Sequence, residues 1–176
     1  MTRPETVEEI VREVAVALEL RAPVEVRVRT GEQIHALMGA PPPKVAGYAI
    51  GAMYHGPHYD ATGQHLLIVR SALHGRMLRH GITHELVHAQ QAEHPSMVAQ
   101  VLGVALAPPE ADAYVDPNPD KPTFGSPPWA ENADEWEAWN VARRLSAELW
   151  DEDQEMWEWR RDLNLLNREE FGSATR

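Results

Sequence analysis

The chain has 176 residues, 27 acidic against 16 basic side chains, a formal charge of −11, nine histidines and no cysteine. That length can bury the core of one domain. Without cysteine there is no disulfide, no thiolate metal site and no cysteine nucleophile, and the acidic balance disfavours a protein that tracks nucleic-acid phosphates.

Arg3, Glu5, Glu8, Glu9, Arg12 and Glu13 leave no room for the apolar core of a signal peptide. No apolar run has the length needed to cross a bilayer. The expectation is a soluble, cytoplasmic protein, with no nucleic-acid or membrane partner. It is read as one domain over 1–176, and nothing in the sequence gives its oligomeric state.

Thr2-Arg3-Pro4-Glu5 reads as a helix start, with proline near the first turn and acids following. Val7, Ile10, Val11, Val14 and Leu18 form one apolar stripe that predicts a packing helix ending near Leu20. Pro23 breaks it. Val24 to Arg29 alternates apolar and charged residues, a half-buried strand with Val24, Val26 and Val28 inward. Residues 31–39 read as a short helix through Ile34, Leu37 and Met38, followed by the stiff Ala40-Pro41-Pro42-Pro43.

Ala46 to Tyr54 reads as a second strand, in which Gly47 and Gly51 admit close approach of another backbone. Residues 55–63 read as a loop from their turn residues. His65 to Arg70 is a third strand, apolar enough to be central, and pairs with the second as a long hairpin. Ser71 is a candidate cap for the helical spacing of Leu73, Met77, Leu78 and Ile82, and Gly75 and Gly81 allow a break before a helix running from Ile82 through Gln91. Met97 to Leu106 reads as a further short helix, and residues 107–128 as a long proline-rich loop. Pro128-Trp129 opens another helix. A charged helical tail, 150–171, either continues it or packs separately. This order predicts an α+β fold, a small antiparallel or mixed sheet packed on the Ile82–Gln91 helix with C-terminal helices.

The chemistry concentrates at His84-Glu85-Leu86-Val87-His88, an H-E-x-x-H pattern. On a helix, residues i and i+4 share a face, so two imidazoles can reach one Zn²⁺. The glutamate beside the first histidine is placed to take a proton from a water on the metal. Catalytic zinc sites usually add a third protein ligand. Glu131, Glu135, Ala138, Ala142, Leu145 and Leu149 form one helical stripe headed by two carboxylates, which are costly to bury unless paired or metal-bound. Either glutamate can be the ligand, with the other supporting a histidine. His94 stands where metzincins place a third histidine, but Gln91 replaces the glycine that turns their chain. A continuing helix would carry His94 about 15 Å from His84. His80, four residues before His84, reads as a core or solvated histidine, and His55, His58, His65 and His74 have no partner spacing.

The H-E-x-x-H segment resembles that of zincin-type metallopeptidases. Glu135-Trp136-Glu137-Ala138-Trp139-Asn140-Val141-Ala142 resembles the E-x-E-A-x-x-F-A segment of small bacterial and phage gluzincin-like peptidases of the ImmA/IrrE type, with Val141 in place of the phenylalanine and a longer spacer after His88. The resemblance covers about Val24 to Leu149 and implies a zincin-like fold. It implies Zn²⁺ held by His84, His88 and Glu135, with Glu85 as the catalytic base, and a peptide or protein substrate. It also implies that the substrate adds as a strand near Gly47–Tyr54. Tyr48, Tyr54, His58 and Tyr114 are the candidates for a second oxyanion donor. The alternative is a regulatory or partner-binding module with little hydrolysis, its tail or the 107–128 loop serving as partner surface or lid. The intact Glu85 favours the enzyme.

Overall fold

Thr6 starts the first helix. Its hydroxyl accepts the backbone N–H of Glu9, and the Glu9 carboxylate accepts the backbone N–H of Thr6, a closed capping box. Helix α1 (Val7–Ala17) therefore begins a turn later than Pro4 suggests. Ile10, Val11, Val14 and Leu18 of its stripe are buried as their spacing requires. The computed structural model describes residues 4–42, 50–94, 133–153 and 155–172. The helix expected at Met97–Leu106, the proline-rich loop 107–128, Gly47, Tyr48, Tyr114 and Glu131 lie outside the described residues.

Strand β1 (Val24–Arg29), helix α2 (Gly31–Leu37), strand β2 (Ala52–Tyr54), helix α3 (Gly56–Thr62) and strand β3 (His65–Arg70) come next along the chain. The sheet order is β1-β3-β2, with β1 parallel and β2 antiparallel to β3. The fold is α+β with a small mixed sheet. Every residue of β3 is buried, because successive side chains point to opposite faces and both faces are covered. Leu67 and Val69 join the main core with α1 and the later helices, while Leu66 and Ile68 pack with Ile34 of α2.

Several local expectations change. Val24 and Val26 pack on the main core, but Val28 is exposed, because the cluster stops short of it. In α2 only Ile34 reaches the second cluster; Leu37 and Met38 lie at the helix end, exposed. Residues 56–62 form a helix rather than a loop. The residues read as turn formers serve as its ends: His55 Nδ1 accepts the His58 N–H, Pro57 sits in the first turn, and Gly63 closes it in the left-handed region at φ 71°. The β2–β3 pairing is antiparallel as expected, but a helix joins the strands in place of a hairpin turn.

Helix α4 (Gly75–Glu93) runs unbroken through Gly81, and its N-cap is His74, not Ser71. Helix α5 (Ala133–Trp150) packs across α4. The chain then turns at Asp151, whose φ is 55°, and restarts at Glu155 as a separate helix α6 (Met156–Phe171). No helix among the described residues is long and apolar enough to cross a membrane.

Candidate metal centre

Because α4 is continuous, His84 and His88 stand on one face with ring centroids 4.9 Å apart, nearly perpendicular. Helix α5 approaches that face closely because Ala138 and Ala142 are fully buried and add little bulk at the contact. This brings in Glu135. One of its carboxylate oxygens lies 3.2 Å from His84 Nε2 and the other 3.3 Å from His88 Nε2. Three potential ligand atoms from these residues all lie within 4.8 Å of one another, and no other such group of three occurs among the described residues.

The charges of the three residues hold one another. Burial alone would raise the Glu135 carboxyl, but hydrogen bonds and charge from His84 and His88 outweigh it and hold it below the ordinary carboxylate range. Burial presses the His88 ring downward, yet the hydrogen bond to Glu135 and the nearby Glu85 and Glu135 charges carry it up to about 9.

Glu85 lies beside the cluster and reaches the sheet. Its Oε2 accepts the backbone N–H of Tyr54 at 2.7 Å. Tyr54 belongs to the edge strand β2, so its outward N–H is free of the ladder to β3. The Tyr54 hydroxyl points elsewhere, 3.0 Å from His65 Nδ1, and burial leads the effects that push it up to about 12. His65 Nε2 in turn lies 2.7 Å from Glu93, which also accepts the N–H groups of Arg21 and Ala22. This buried network locks β2, β3, the end of α4 and the turn before β1. No spacing in the sequence announces it, since 28 residues separate His65 from Glu93.

The other candidates fall away from the cluster. His94 is the C-cap of α4 and lies 3.9 Å from Glu93. His58 faces Glu25 at 3.7 Å. His80 is a core residue, its ring 4.3 Å from that of Trp139, and burial depresses it to about 3, so it is neutral. Trp139 and Trp159 meet edge to face at 5.8 Å and pack helices together.

No family model matches the sequence, and no curated protein or solved structure matches it either. Two imidazole nitrogens and one carboxylate are a donor set of catalytic zinc. Two atoms bound to one tetrahedral ion at about 2.0–2.2 Å stand about 3.3 Å apart. The separations of 3.2 and 3.3 Å run to the two oxygens of Glu135 and are close to that spacing, so these residues have the donors to hold one metal ion such as zinc.

Proposed function

We propose that the chain is a zincin-like zinc metallopeptidase that hydrolyses peptide bonds. The observation that carries the reading is the convergence of His84, His88 and Glu135 from two helices, with Glu85 beside them. His84 and His88 would hold zinc through Nε2, and Glu135 through its carboxylate. Zinc bound there supplies a Lewis acid that acidifies water and polarises a carbonyl oxygen.

The chain's own residues do the rest. Glu85 accepts the proton of the attacking water and passes it to the leaving amine. The Tyr54 N–H holds one oxygen of that carboxylate, leaving the other for the proton. The outer edge of β2 pairs with no other strand among the described residues, and beside the Tyr54 N–H held by Glu85 it would offer an extended peptide a place to pair as an added strand.

The test is zinc content and peptide cleavage for wild type and Glu85→Gln. The expected result is one zinc per chain in both, with cleavage reduced by about 10²–10⁴-fold in the variant. Full cleavage in Glu85→Gln would contradict the mechanism. A wild type that holds zinc and cleaves nothing would favour a zinc-binding regulatory module.

A further inference from the structure

His88 has two ring nitrogens, and only one can face the cluster. Its Nδ1 lies 2.7 Å from Gln91 Oε1, one turn later on α4. The amide of Gln91 is itself held: its Nε2 donates to Glu137 Oε2 at 2.8 Å. Glu137 is buried at 7% exposure and comes from α5, two residues after Glu135.

These two contacts fix a direction of donation. The NH₂ end of the Gln91 amide only donates, and Glu137 Oε2 accepts from it. The amide oxygen is then left for His88, and it only accepts. His88 must therefore carry a proton on Nδ1 to meet it, so the nitrogen turned toward Glu135, Nε2, is the one that would exchange its proton for a metal. We infer that Gln91 and Glu137 are positioning residues that set the tautomer and ring orientation of His88 for metal binding. The inference rests on the proposed zinc site. Nothing in the resemblance to gluzincin-like peptidases assigns either residue a role, and comparison with the metzincin pattern marks Gln91 only as the absence of a glycine. Helix α5 thus serves the centre twice: through Glu135 directly, and through Glu137 by way of Gln91. Partners of this kind are typically worth about 10–100-fold in metal affinity.

Zinc affinity by chelator competition tests it on Gln91→Leu, Glu137→Leu and the exchange Gln91→Glu with Glu137→Gln. The exchange keeps net charge and restores the chain of bonds, because the new carboxylate accepts from both His88 and the new amide. Each single variant should lose about 10–100-fold in affinity, and the exchange should recover most of it. Proton–nitrogen NMR of His88 in zinc-free wild type should show an Nδ1–H slowed in its exchange with solvent by the bond to Gln91, and Gln91→Leu should lose that protection. Unchanged affinity in Gln91→Leu, an exchange no better than the single variants, or an unprotected Nδ1 in wild type would overturn the inference. Wild type without zinc affinity but with a protected Nδ1–H would instead sink the zinc reading alone.

Discussion

At the residue scale, the pairing of Glu135 with two imidazoles makes stability depend on pH. The folded state raises His88 from its ordinary 6.5 to about 9. Its contribution is therefore complete below 6.5 and lost as pH rises through about 9. Glu135 is lowered from its ordinary 4.5, so its contribution is present above 4.5 and lost as pH falls below it. The pair stabilises the metal-free protein most between these ordinary values. Thermal melts in chelator should show Tm falling from about pH 6.5 to 9. His88→Ala should flatten that limb, and an unchanged slope would mean that the ring is not held as described. Zinc should suppress the effect in wild type, because metal takes the place of the proton on Nε2.

His84 and His88 were legible in the sequence because they repeat at one helical turn. The stripe of the later helix offered Glu131 and Glu135 alike, and only the resemblance to the E-x-E-A-x-x-F-A segment singled out Glu135. Gln91, Glu137, His65 and Glu93 were not legible as partners. Each bond joins side chains whose proximity depends on tertiary packing, and Glu137 lies off the stripe that carries Glu135.

At the element scale, the approach of α5 to α4 sets the centre. Ala138 is fully buried beside Glu135. Ala138→Leu should push the helices apart, costing about 1–3 kcal/mol and weakening zinc binding, as read by denaturation and chelator competition. Unchanged zinc affinity would show that the spacing is not critical. A second tie lies at the other end of α4. Arg79 donates from Nε to Glu152 at 2.8 Å, and both side chains are nearly inaccessible to solvent. Glu152→Ala leaves the guanidinium uncompensated and should cost about 3–5 kcal/mol in urea unfolding; a loss below about 1 kcal/mol would contradict that burial. Helices α1 and α5 and the central strand were legible from apolar periodicity. The start of α4 and the helix at 56–62 were not, because histidine, glycine and proline act there as caps and first-turn residues, and the same residues make turns.

At the scale of the whole molecule, the main core runs through α1, β3, α4, α5 and α6. Its apolar contacts do not pass through His84, His88 or Glu135. The protein should fold without metal, with circular dichroism unchanged on chelation, and zinc should raise Tm with concentration as a ligand of the native state does. The small mixed sheet serves the centre through one edge: β2 holds Glu85 by the Tyr54 N–H, and the His65–Glu93 pair locks β2 and α4 together. The α+β class was legible from the order of elements. The sheet order was not, because β1 pairs with β3 across, among the described residues, two intervening helices and a strand.

The central claim is that one metal is held by His84, His88 and Glu135. Diffraction from crystals grown with zinc, recorded at the zinc absorption edge, tests it most directly. The expected result is a single anomalous peak at about 2.0–2.2 Å from the two Nε2 atoms and a Glu135 oxygen. A peak ligated by Glu131 or His94 in place of Glu135, or no peak between the two histidines, would contradict it.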